Sequence, residues 1–247
     1  LGIAAAHGEL IAFLDADDSW EPNHLAEVVP LLEENPIAAL AFSRERRFGG
    51  WGGTHPRVLQ PGRPVDGFWP VLRKNFVPQM GAVVRRDALI EVQGYDETMR
   101  YAEDYDLWLR LARRFPMICT DRVTCNHRGH PDQASARDDL LARGAYEARW
   151  HAWCAARVTD SPRVVQRIER IIRAAWNDYL WKVWRSRNRS LMAAALSLRQ
   201  FVPGSHSIYR RWDRRARLLW PWYLRAARGW DRVVGNEKRE TGSEKRA

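Results

Sequence analysis

Cysteine is scarce in this chain of 247 residues: there are three, Cys119, Cys125 and Cys154, irregularly spaced. That spacing excludes a disulfide framework and a cysteine-based zinc site, and it makes buried thiols in a reducing compartment the expectation. Long apolar runs are missing as well. The longest, LLWPWYL at 218–224, falls far short of the roughly 20 residues of a membrane-spanning helix. No secretory leader is recognisable at the start, which is Leu1 rather than Met. Positive charge is in deficit over the first half, where residues 1–135 carry 15 Lys and Arg against 19 Asp and Glu. The glycine-rich GGWGG at 49–53 has neither the lysine nor the strand-to-helix setting of a P-loop, so a flexible connector or lid is its expected role.

What is present divides unevenly along the chain. Apolar residues make up 45% of the whole, enough for a core. Residues 136–247 hold 25 Lys and Arg against 11 Asp and Glu, so the formal charge of +10 belongs to the C-terminal half. Nine of the 13 Trp lie there too, and between Tyr209 and Arg232 eight Arg face two Asp. Trp interleaved with Arg suits a water–lipid interface. An anionic membrane surface, reached through 205–236, is therefore the expected partner, with the protein peripheral at the inner face of the cell membrane. No nucleic-acid-binding module is recognisable, so nucleic acid is not an expected partner. Residues 136–235 read as helices throughout, and 236–247 as a frayed polar tail.

Two acidic clusters carry the chemistry. In the first, a strand over Leu10–Leu14 runs straight into Asp15, Asp17 and Asp18, delivering carboxylates at a strand's carboxyl end, where open α/β sheets bind ligands. Ser19 is the expected N-cap of a following helix that carries Leu25, Val28, Leu31 and Leu32, with Pro30 expected to kink or shorten it. In the second, YAEDYDLWLRLA at 101–112, Glu103 and Asp104 occupy the first turn of an amphipathic helix. Between the clusters the pattern predicts a strand at IAALAFS, a short helix at DGFWPVLRKN, a strand at MGAVVRR, a short helix over Asp87–Val92 and a turn at Gly94. MICTDRV reads as a last strand and NHRGHPDQAS as a polar loop.

In the order LGIAAAHGELIAFLDADDSWEPNHL, VPQMGAVVRRDALIEVQGYDE, AEDYDLWLRLARRFP and HRGHPDQAS, the chain resembles a family 2 glycosyltransferase of the GT-A fold. The resemblance covers about residues 1–135 and implies an α/β fold, a partial Rossmann-like mixed sheet flanked by helices, followed by an all-helical region. Members of this family open with further nucleotide-binding strands, so the resemblance also implies a chain shortened at its N-terminus. Asp15 to Asp17 match the DXD-type metal motif, and Glu103 and Asp104 match the ED motif. Gln93 stands where the family has the first glycine of a pair, leaving Gly94 for the close backbone approach to the donor.

Transfer from a nucleotide-diphosphate sugar needs the leaving diphosphate neutralised, most directly by Mg²⁺ or Mn²⁺ held on carboxylates. The resemblance makes Asp17 the main ligand, Asp15 its partner toward ion or ribose, and Asp18 a supporting donor-site residue. It matches His130, ahead of His127, to a late histidine that reaches metal or diphosphate, and Arg128 lies beside them for the diphosphate. Inversion also needs a base for the acceptor hydroxyl. Asp104, kept ionised by the helix N-terminus, is the candidate, with Glu103 orienting the acceptor. Trp108 and Trp69 are candidate stacking platforms for the acceptor, although aromatics at helical spacing are more often core. The acceptor would be a saccharide or a lipid-linked sugar. The other reading is a non-catalytic nucleotide-sugar-binding remnant whose helices dock on a membrane or a partner.

Overall fold

A computed structural model describes residues 2–49, 53–54, 58–130, 133 and 138–186. The expectations for 205–236, for the tail and for most of GGWGG lie outside the described residues. The chain divides into one compact unit, Leu1–Tyr179, and another, Leu180–Ala247. The elements in chain order are α1 (Gly2–Ala5), β1 (Leu10–Ala12), β2 (Ser19–Trp20), α2 (His24–Glu33), β3 (Leu40–Gly49), β4 (Gly53–Thr54), α3 (Phe68–Arg73), a 3₁₀ turn (Gln79–Gly81), β5 (Ala82–Arg85), α4 (Arg86–Glu91), α5 (Glu103–Arg114), β6 (Met117–Gly129), α6 (Asp138–Thr159) and α7 (Pro162–Ser186).

Six strands form one mixed sheet in the order β1-β5-β3-β6-β2, with β4 paired to β3. The β3–β6 pair is parallel, and the pairs β1–β5, β3–β5, β2–β6 and β3–β4 are antiparallel. At the centre, Leu40–Phe42 lie between Val84–Ala82 on one side and Met117–Cys119 on the other. Central strands flanked on both sides bury both faces, which accounts for the continuous apolar run Ala38–Phe42. Over this sheet α2 lays Val28 and Leu32 against Ala38, Ala41, Val83 and Ile118. Among the described residues no helix is long and apolar enough to cross a membrane.

The expected mixed α/β sheet flanked by helices is what forms, and several boundaries move. The first strand ends at Ala12, two residues earlier than its apolar run. Ser19 caps no helix; it pairs with Asn126 across the sheet, and Asn23 precedes α2. Pro30 does not end α2, which continues to Glu33 and closes with the Glu34 N–H on the Pro30 carbonyl at 2.9 Å. The polar stretch Asn126–Gly129, expected as loop, is the end of β6, because Arg46–Gly49 of β3 supply parallel partners for its backbone. Here pairing overrides the local sequence preference.

The register of β3 against β6 shifts on either side of Arg44. Such an irregularity re-aims the side chains that follow it, and Glu45 is left buried at 3% exposure. On α6, a Cβ at Gly144 would overlap the carbonyl of Tyr101 and press on Ala102. That close approach seats α6 directly on the entry to α5.

Candidate active site

After β1 the chain turns at Asp15–Asp18, closed by the Asp18 N–H on the Asp15 carbonyl at 3.2 Å. The turn spreads three carboxylates over a short arc. Asp17 is exposed, and its Oδ2 meets His130 Nε2 at 2.9 Å. That hydrogen bond holds the Asp17 carboxyl below the usual carboxylate range. Asp18 accepts the backbone N–H of Arg128 at 2.8 Å. Asp15 and Asp18 are both pushed up, first by burial and then by the like charges of their neighbours. Gln79 Nε2 reaches Asp15 Oδ1 at 3.4 Å.

The second cluster sits on α5, whose first turn holds Glu103, Asp104 and Asp106 and whose last holds Arg113 and Arg114, both favourable to the helix dipole. Entry to α5 is through Ala102 with φ 56°, in the left-handed region that a Cβ disfavours. A strained residue one position before Glu103 fixes the direction in which the acidic turn leaves the chain. Ala102→Gly is expected to stabilise the protein by about 0.5–1 kcal/mol through relief of that strain, read as a raised midpoint in urea unfolding.

Both clusters open onto one cleft of about 570 Å³, lined by Asp15, Asp17 and Asp18 on one side, Glu103 and Asp104 on another, and the segment Asn75–Met80 between. Asn75 Nδ2 donates to Asp104 Oδ2 at 2.9 Å. Burial pushes the Asp104 carboxyl up to about 6, with the charges of Glu103 and Asp15 adding to it and the hydrogen bonds from Asn75 and the Tyr105 backbone opposing it. A carboxyl in that range is a base matched to neutral pH. Asp17 and His130 meet beside Asp15 and Asp18 on the same turn, and carboxylate and imidazole are donors of the kind a divalent cation takes. Burial raises Asp15 and Asp18 first, and the like charges beside them add to it; a dication there would relieve that added repulsion.

Sequence reading missed Glu45, Arg47, Asn75 and His127's partner. Glu45 accepts Arg47 Nε at 2.6 Å, and its other oxygen lies 3.4 Å from His127 Nδ1. Burial pushes the Glu45 carboxyl up, but His127 and Arg47 outweigh it and hold it below its ordinary value. The contact with Glu45 raises the His127 imidazole. All three line the cleft, and Arg47 and His127 bring positive charge beside the acidic turn.

Three acceptor and donor candidates stand elsewhere. Trp108 is fully buried, 0% exposed, edge-on to Phe13 at 5.9 Å between ring centroids; it is a core residue, with no face open to an acceptor. Trp69 lies under the Arg167 guanidinium, 3.8 Å from its centroid, in a different groove. Gly94 follows Gln93 in a left-handed pair of φ 64° and 62°, so the glutamine accepts the turn that the missing glycine would have made. Gly94 packs toward Ile3 and is absent from the cleft wall. A second His and Asp cluster, Asp96, Asp106 and His151, is tied by Arg110 Nε on Asp106 at 2.7 Å and by Thr98 on Asp96. Through His151 Nδ1 on Asp106 at 3.2 Å it joins α6 to α5.

Residues 1–93 match the family model described as Glycosyl transferase family 2. The chain is similar to the O-antigen biosynthesis protein RfbC of Myxococcus xanthus, 32% identical over 111 residues, 45% of this chain and 8% of that one. It is also similar to the succinoglycan biosynthesis protein ExoU of Rhizobium meliloti, 30% identical over 187 residues, 69% of this chain and 54% of the relative. The chain thus spans about half the length of one relative and under a tenth of the other. Among solved structures it is similar to S. aureus TarS 1–349 in complex with UDP-GlcNAc, with a TM-score of 0.60 at 13% identity over 81% of this chain and 60% of that one. A second TarS structure gives 0.57 at 13% identity, over 81% and 35%. At such identity the likeness is one of fold.

Proposed function

For a chain whose residues 1–93 match the glycosyl transferase family 2 model, we propose inverting transfer of a sugar from a nucleotide-diphosphate donor to a hydroxyl of a growing saccharide or lipid-linked acceptor. The observation that carries it is the single cleft onto which Asp15–Asp18 and Glu103–Asp104 both open. The acceptor hydroxyl oxygen attacks the anomeric carbon as the carbon–oxygen bond to the diphosphate breaks, its electron pair leaving with the diphosphate. The hydroxyl proton passes to Asp104, which lines the same cleft. Glu103 orients the acceptor.

Asp17, Asp15 and His130 would hold Mg²⁺ or Mn²⁺, which when bound supplies positive charge to the departing diphosphate. Asp18 holds the loop through the Arg128 backbone N–H, and the Arg128 side chain would contact the diphosphate. A uridine donor is favoured because the TarS structure of the same fold is a complex with UDP-GlcNAc. A surface-polysaccharide acceptor is favoured because the relatives are named for O-antigen and succinoglycan biosynthesis. Such acceptors suit an enzyme resting on the inner membrane face through 205–236. The carrying claim is tested by titrating Mn²⁺ in the presence of UDP, followed by electron paramagnetic resonance. Asp17→Asn is expected to weaken Mn²⁺ binding by about tenfold or more; unchanged affinity removes Asp17 from the ligand set.

A further inference from the structure

One wall of the cleft is the extended segment that leaves α3, and its start is unusually well fixed. A helix ends with carbonyls that have no partner within it. For α3 they are met from two other helices. The Tyr105 hydroxyl donates to the carbonyls of Val71 at 2.8 Å and Leu72 at 3.0 Å. From α6, Arg149 donates to Leu72 at 2.9 Å and to Arg73 at 3.0 Å, its guanidinium lying over the Tyr105 ring at 4.9 Å. Lys74 then turns to extended backbone, and the next side chain is Asn75.

Asn75 is only half satisfied. Its Nδ2 bonds Asp104, while its Oδ1 is buried with no hydrogen-bond partner. Leaving a buried carbonyl unpaired costs about 1–3 kcal/mol, and an apolar side chain of similar shape would avoid that cost. An amide kept at this position is therefore explained by what its donor does to Asp104. Four residues on, Gln79 touches the other acid cluster at Asp15, so this one segment reaches both sides of the cleft.

We propose that Asn75 is a positioning residue for the Asp104 base. Its amide fixes Asp104 Oδ2 by a directional hydrogen bond and favours the ionised form against the burial around it. The inference rests on the reading of Asp104 as the base. It predicts a functional cost without a structural one, since a hydrogen bond to the charged form of a buried acid lowers its pKa, and removing that bond lets the pKa climb.

The test is a pH titration of Asp carboxyl carbons by NMR in the full chain labelled with [¹³C]Asp, comparing wild type, Asp104→Asn, Asn75→Leu and Asn75→Asp, with thermal unfolding of each. The wild type is expected to show one carboxyl titrating near 6 that Asp104→Asn removes. Asn75→Leu is expected to move that midpoint up by about one unit while leaving the unfolding temperature unchanged or higher, and Asn75→Asp to move it further. If Asp104→Asn removes no such signal, the base reading itself fails. If Asp104→Asn removes it but neither Asn75 variant shifts it, Asp104 stands as the base and the positioning role of Asn75 is overturned.

Discussion

Asp104→Asn is expected to lower kcat for sugar transfer by about 10²–10⁴-fold, the usual worth of a positioned general base, with donor KM nearly unchanged. The amide keeps the size and the Asn75 neighbour but cannot take a proton at neutral pH. The wild-type rate should also carry the signature of the buried acid. With the carboxyl near 6, kcat/KM rises through about pH 6 and levels above it; in the Asn variant the residual rate loses that limb. Stability moves in the opposite sense. A carboxyl whose pKa is raised on folding favours the folded state below the unfolded pKa of 3.8, and that contribution is lost as pH rises through about 6. Removing the charge is therefore expected to stabilise the protein at neutral pH, by on the order of 1–3 kcal/mol, and to leave it unchanged at pH 4. A variant that is inactive and more stable at pH 7.5 in urea unfolding would fit a group retained for chemistry. A variant that transfers sugar at the wild-type rate would remove Asp104 from the mechanism.

Gly144→Ala carries the largest expected structural effect. A methyl there meets main chain, the Tyr101 carbonyl, which has no rotamer with which to move aside. Overpacking of this kind costs about 1–3 kcal/mol and sometimes more, and here the strain falls on Ala102, already left-handed. The substitution is thus expected to lower the urea midpoint and to cut kcat about tenfold or more through misplacement of Glu103 and Asp104. Gly2→Ala is the matched control: it sits in α1 with nothing within 4 Å of the added methyl, and should be neutral or slightly stabilising. Equal midpoints for the two variants would mean that α6 does not press on the entry to α5.

The acid clusters were legible because each follows a strong local pattern: an apolar strand before Asp15, and a helix whose buried Leu107, Leu111 and Trp108 recur at helical spacing behind Glu103. Trp108, expected as a stacking platform for the acceptor, follows the apolar spacing of that helix into the core and is absent from the cleft wall. What sequence could not disclose depends on contacts distant along the chain. Glu45 looks like one acid in the charged run RERR; only the register shift against β6 brings it beside His127. Asn75 looks like a loop residue, and it meets Asp104 only because Tyr105 and Arg149 fix where α3 stops. Ser19 offered a cap, but a strand partner at Asn126 outcompeted the helix. The one available signal was Gly144, a glycine inside a helical pattern, which marks a close backbone approach.

Arg149 holding the last carbonyls of α3 also sets where this protein can be shortened. A piece ended near residue 135, after the last recognisable motif, would retain every acid discussed above and still lose the guanidinium that finishes α3 and the helix that seats Ala102. Its cleft walls would be untethered at both ends. Trimming for crystallisation, or grafting the acidic turn and α5 onto another donor-binding half, should therefore keep the chain at least through α6.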